Sequence, residues 1–243
     1  MKPILRTVRS DESLGEILRA AKEFLPESDV LYVEPFCGTA EIPFELELKS
    51  CILNDNNPHI INLYQQVKSG DFLKNGWQIT RKTKLPDWGR NRDEFNTLIR
   101  QGKINTVKAA QLTFYLSHIC RYFNFGSTGT LIGAHDPNGE LPEIDWDAAA
   151  TLMQNWQLTL GEYAEFEVPE EGALVVNAPG VYIRQWNGEA WDVSSHQTLI
   201  HWLEQRSNRA LVFHRKRRVV EDLYNHWVQN SQAVPAERVF QVA

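Results

Sequence analysis

The sequence predicts a doubly wound α/β protein interrupted by a mostly helical insert, and three observations predict it. Four short apolar runs are each closed by turn residues or charge, as strands buried on both faces of a parallel sheet are. Segments of helical period lie between them. A long middle stretch, about residues 67–145, has helical spacing and a charge balance of its own. At 243 residues, 42% of them hydrophobic, the chain is long enough for one such domain and an insert.

Taken in order, residues 14–24 carry the first helical pattern. Val30-Leu31-Tyr32-Val33 is the first strand and ends in Glu34-Pro35-Phe36 and a glycine turn. Cys51-Ile52-Leu53 is the second and ends in Asn54-Asp55-Asn56-Asn57-Pro58, with helical spacing over about 58–67. Residues 90–122 read as further helix and 126–142 as a turn-rich loop or hairpin. Ala173-Leu174-Val175-Val176 is the third strand, closed by Asn177-Ala178-Pro179-Gly180. Residues 196–205 are helical again, and Ala210-Leu211-Val212-Phe213 runs into the basic cluster Arg215-Lys216-Arg217-Arg218. The core is therefore expected over residues 1–66 and 146–243, with the insert at 67–145.

Charge is uneven. Between Lys68 and Lys108 there are ten Lys/Arg against four Asp/Glu, whereas residues 136–171 hold ten acids and no base, in a chain of net charge −6. A locally basic insert suits a polyanionic partner, although solvated surface segments of differing sign give the same count. Cys37, Cys51 and Cys120 have no zinc-like spacing and an odd count, so reduced, buried thiols and no metal are expected. No membrane span and no signal-peptide core are visible. A soluble cytoplasmic protein is expected.

In doubly wound sheets ligands sit beyond the carboxyl ends of the strands, where loops lead into helices. Gly38, after the first strand, allows close backbone approach to a ligand, or simply a tight turn. Asp55, after the second, is placed to accept both hydroxyls of a ribose, or to cap the helix that begins near Pro58.

Over these residues the chain resembles the Dam-type (class α, D12) DNA adenine-N6 methyltransferases. The resemblance is carried by Lys2-Pro3-Ile4-Leu5, by Val33-Glu34-Pro35-Phe36-Cys37-Gly38 and by the block Asn54 to Tyr64. A looser likeness includes Cys120 and Phe123-Asn124. It implies a Rossmann-like methyltransferase fold, S-adenosylmethionine held by Lys2, Glu34, Phe36, Gly38 and Asp55, and a helical DNA-recognition insert. It also implies double-stranded DNA as partner and a target base flipped out of the duplex. Arg81, Lys82, Lys84, Arg90 and Arg92 would hold phosphates.

The departures fall on chemistry. The family's catalytic Asp-Pro-Pro-Tyr is Asn177-Ala178-Pro179-Gly180 here. Asn177 and the Ala178 carbonyl still accept hydrogen bonds from a base amine, but Gly180 cannot stack on a base, a contribution of roughly 1–3 kcal/mol, unless Tyr182 substitutes. Arg9-Ser10-Asp11 stands where the family has Gly-Gly-Lys, and Ala40 replaces the second glycine of the first loop. The expectation is a DNA-base-modifying transferase whose ordinary adenine-N6 methylation is impaired. The alternatives are an inactive DNA-binding relative and a bacteriophage hypermodification enzyme that joins an amine or amino acid to an activated pyrimidine. His118, His135 and His214 read as structural or exposed; in redirected chemistry His135, Asp136, Asn177 and Tyr182 would be the acid–base candidates.

Overall fold

The computed structural model describes residues 1–6, 11–25, 30–74, 85–121, 123, 125, 129–180, 186–187, 189–215, 218–230 and 238–242. The chain divides into two compact units. A helical unit comprises residues 1–7, 57–154 and 184–189, and a sheet unit comprises 8–56, 155–183 and 190–243.

The sheet unit contains, among the described residues, six strands in the order β3-β2-β1-β4-β5-β6, all parallel. They are β1 (Tyr32–Glu34), β2 (Cys51–Asp55), β3 (Gln157–Leu160), β4 (Ala173–Asn177), β5 (Ala210–Arg215) and β6 (Arg238–Val242). This is the strand order of doubly wound nucleotide-binding sheets, which reverses between β1 and β4. Its central strands are buried residue after residue, as their continuous apolar runs require. β3 and β6 were not legible from the same rule. β3 is an edge strand whose residues are mostly exposed, and its sequence Gln-Leu-Thr-Leu carries no continuous apolar run.

The helices of this unit are α1 (Asp11–Phe24), α2 (Glu41–Glu45), α7 (Val193–Glu204) and α8 (Arg218–Asn230). Asp192 and Ser195 start α7 with a reciprocal capping box. One apolar cluster joins Val33, Leu174, Val176 and Val212 of the sheet to Leu199 and Leu203 of α7 and Val220 and Tyr224 of α8. Arg209 fastens the end of α1, its guanidinium lying 5.0 Å from the Phe24 ring and donating to the Phe24 carbonyl at 3.3 Å.

In the helical unit α3 (Pro58–Lys68), α4 (Leu85–Arg100) and α6 (Trp146–Leu152) surround α5 (Val107–Ile119), which is buried from Ala109 to Ile119. The helical sequence expected over 90–122 forms two helices. Gly102 adopts φ +67°, its N–H donates to Ile99 and that of Lys103 to Leu98, the paired bonds that close a helix on a left-handed glycine. Thr106 then caps α5 by accepting from the Ala109 N–H at 3.2 Å. Polar side chains bind the helices through main-chain groups: Asn62 donates to the Thr106 carbonyl, Gln111 to that of Phe72, and Asn96 exchanges two bonds with Leu131. No helix among the described residues is long and apolar enough to cross a membrane.

Candidate functional site

β1, β2 and β4 are adjacent and parallel, so Glu34, Asp55 and Asn177, the last residue of each, lie at the same rim of the sheet. The loops beyond β1 and β2 are joined by main-chain and side-chain bonds. The Cys37 N–H donates to the Asn54 carbonyl at 2.8 Å, and the Gly38 N–H donates to Asp55 Oδ2 at 2.8 Å. Asp55 is thus no helix cap. That role belongs to Asn57, whose Oδ1 accepts from the His59 N–H at 3.0 Å with Pro58 in the first helical position.

Gly38 has φ +46°, and a Cβ built on it would meet nothing within 4 Å. The turn therefore needs left-handed backbone and leaves open space before it. Ala40, where the resemblance expects glycine, also adopts the left-handed region, with φ 48° and ψ 41°. The loop has kept a glycine-like path at a strained residue.

Glu34 is buried and accepts from the Tyr32 hydroxyl at 2.8 Å. Burial, then the Glu34 charge, pushes the Tyr32 phenol well above its ordinary range. Burial, then Asp55 and Glu34, does the same to the Cys37 thiol. Neither group ionises near neutral pH. Phe36 is held in an aromatic cluster, 5.0 Å from Tyr163 and edge-on to Trp191 at 5.3 Å.

β3 supplies what the sequence reading missed. Asn54 is buried and stitches three loops, donating to the carbonyls of Pro35 (3.1 Å) and Gly161 (2.9 Å) while accepting from the Thr159 hydroxyl (3.0 Å). Asn56 donates to Glu162 at 3.2 Å. A cleft of about 440 Å³, lined by Asn54, Thr159, Glu162, Glu165 and Phe166 among others, opens beside β2 and β3. Gly161 after a Leu-Thr-Leu alternation was the available signal, and it was too short to stand out.

At the end of β4, Asn177 pairs in register with Phe213 and the Ala178 N–H donates to the Phe213 carbonyl at 2.9 Å. Ala178 and Gly180 are buried; Asn177 and Pro179 are half-buried. Tyr182 lies outside the described residues, as do Arg81, Lys82 and Lys84. Lys2 is exposed and belongs to the helical unit, as do Arg90 and Arg92 on α4. Arg90 pairs with Asp87 at 2.9 Å; Arg92 pairs with Asp93 at 3.0 Å and lies 4.6 Å from the Trp88 ring. His118 is structural, its Nε2 bonded to the Ile4 carbonyl at 2.9 Å, and buried His214 stacks on Tyr224. Asp136 is occupied by Arg6 at 2.9 Å. Among the described residues no group of His, Cys, Asp and Glu is arranged to hold a metal ion.

A left-handed glycine turn after β1, bonded to a carboxylate at the end of β2, lies at the strand ends where doubly wound α/β sheets take their ligands. Residues 15–175 match the D12 class N6 adenine-specific DNA methyltransferases, and the chain belongs to that family. It is 25% identical over 228 residues to a DNA adenine methylase of Serratia marcescens, across 84% of this chain and 81% of that protein. The protein is accordingly a DNA-modifying transferase of a family that uses S-adenosylmethionine.

Proposed function

We propose that this chain holds S-adenosylmethionine at the carboxyl ends of β1 and β2 and transfers its methyl group to an exocyclic amine of a base swung out of duplex DNA. The observation that carries the reading is the 2.8 Å bond from the Gly38 N–H to Asp55, which holds a glycine turn and a carboxylate together beside the strand that ends in Asn177. The residues suit the cofactor: Asp55 accepts ribose hydroxyls, and the open space before Gly38 admits the ligand's chain against bare backbone. Glu34 and Phe36 complete the proposed set by shaping the loop.

The bound cofactor would supply an electrophilic methyl group. Asn177 and the Ala178 carbonyl accept the N–H groups of the acceptor amine and aim its lone pair. Asn177 is neutral, so it orients the amine without taking its proton, which leaves to solvent. Gly180 supplies no stacking surface, which weakens base capture and makes the transfer slow. DNA is held by the bases of the helical unit, Arg81, Lys82, Lys84, Arg90 and Arg92. The ion pairs of Arg90 and Arg92 are exposed, single-carboxylate contacts of small net value, and phosphates can replace them.

The test is incubation of the protein with duplex DNA and labelled S-adenosylmethionine, followed by mass analysis of the nucleosides. The expected result is a methylated base that disappears in Asn177→Ala. Cofactor binding without any transfer would favour the inactive DNA-binding reading, to which Gly180 and the Arg9-Ser10-Asp11 segment lend support. No cofactor binding would end the methyltransferase reading, and a base carrying a larger group would favour hypermodification.

A further inference from the structure

Two of the strand ends assigned to the site send the chain into the helical unit. One crossing lies between Asn56 and Asn57, directly after Asp55; the other enters residues 184–189, a few residues after Gly180. Each crossing delivers an aromatic ring, and the two rings meet. His59 and Trp186 stand edge to face, with centroids 6.3 Å apart and planes at 86°. His59 is 1% exposed and lies parallel to Phe125 at 5.3 Å and tilted on Phe95 at 4.9 Å. Gly129, at φ +70°, turns the chain beside the Trp186 carbonyl, with which a Cβ there would make ordinary contact at 3.9 Å.

His59 Nδ1 and Trp186 Nε1 are both buried without a hydrogen-bond partner among the described residues. The contact between the two rings is therefore made by shape alone, with no hydrogen bond from His59 Nδ1 or Trp186 Nε1 to support it. Burial holds His59 neutral, its pKa lowered to about 4, so the contact keeps one charge state across the neutral range.

We propose that the His59–Trp186 contact is a positioning clamp that ties the start of α3, beyond Asp55, to the chain that follows Asn177 and Gly180, so that the cofactor-holding and acceptor-holding ends keep their spacing during transfer. Its purpose rests on the proposed function; its existence rests on geometry inside one unit. In the proposed function neither residue touches the reacting atoms.

The test uses the full chain and two readouts. Hydrogen exchange is followed in peptides covering 55–60 and 178–183, and S-adenosylmethionine affinity by calorimetry. In Trp186→Ala, exchange is expected to rise about tenfold in 55–60 as well as in 178–183, and His59→Ala should do the same in both peptides. The double variant should add nothing further, and both single variants should lose cofactor affinity about tenfold. His59→Phe, which keeps the ring, should restore both readouts to those of the parent chain. Effects confined to each variant's own loop, additive effects in the double variant, or a His59→Phe as impaired as His59→Ala would each overturn the clamp. If an alanine variant fails to fold, His59→Leu and Trp186→Leu replace it under the same criteria. A parent chain that binds no cofactor would refute the proposed function, while the exchange readout would still decide the clamp.

Discussion

Asp55 must satisfy two demands with one carboxylate. It accepts the Gly38 N–H at 2.8 Å and, in the proposed function, the ribose hydroxyls. A hydrogen bond to a charged acceptor contributes roughly 1.5–3 kcal/mol, so Asp55→Ala should weaken S-adenosylmethionine binding by at least about tenfold. Calorimetry on the two proteins measures this directly, and equal affinities would remove Asp55 from the site. Asn177 makes a narrower demand, since it acts only on the acceptor. Asn177→Ala should leave cofactor affinity unchanged while lowering single-turnover methyl transfer by about 100-fold, in line with the loss of one positioned polar group. A loss of cofactor affinity instead would mean that the end of β4 faces the cofactor.

At the scale of elements, the rim depends on how closely β1 and β4 approach at their starts. Gly172 precedes β4, and a Cβ placed there would stand 2.6 Å from Val33 Cγ2 and 3.1 Å from the Pro169 carbonyl. Val33 is a buried β-branched residue with little rotamer freedom, and Pro169 presents backbone, so neither can withdraw. Gly172→Ala should therefore cost about 1–3 kcal/mol, the usual price of overpacking a core. Urea denaturation would show this as a lower midpoint, and an unshifted midpoint would mean that β4 can slide without loss. Asn54 works at the other side, where its three bonds hold β1, β2 and β3 ends together.

For the whole molecule, three of the buried histidines set a pH limit. Burial lowers His59, His118 and His196 from 6.5 to about 4; the Arg6 charge adds to this at His118, and His214 at His196. Their unfolded forms bind protons near 6.5, so between pH 6.5 and 4 the unfolded state takes up more protons than the folded one. Stability is then full above about pH 6.5 and falls as the pH drops towards 4, by on the order of 2–3 kcal/mol for each histidine. Thermal melts in buffers from pH 7.5 to 4.5 should show a falling midpoint, and His118→Gln should reduce the slope. A midpoint independent of pH in that window would show that these rings stay solvated. DNA affinity belongs to the same scale. If the five bases of the helical unit meet phosphates, raising salt from 50 to 200 mM should weaken binding by roughly 10²–10³-fold, and Arg90→Glu with Arg92→Glu should flatten that dependence.

The sequence by itself determined the central sheet, the glycine turn, the carboxylate after β2 and the family. Strands buried on both faces write continuous apolar runs, and a turn that needs left-handed backbone writes glycine. It did not show the edge strand β3, because a strand with exposed residues needs no apolar run, nor the break at Gly102, because helical spacing continues on both sides of it. Only the tertiary structure removed the capping reading of Asp55. A carboxylate two residues before Asn57 could cap α3 or turn towards the neighbouring loop, and which it does depends on the pairing of β1 with β2, which brings the Gly38 N–H to it. The same holds for His59 and Trp186, separated by over a hundred residues: their contact exists because two chain crossings enter the same helical unit, a fact of packing that no local pattern records.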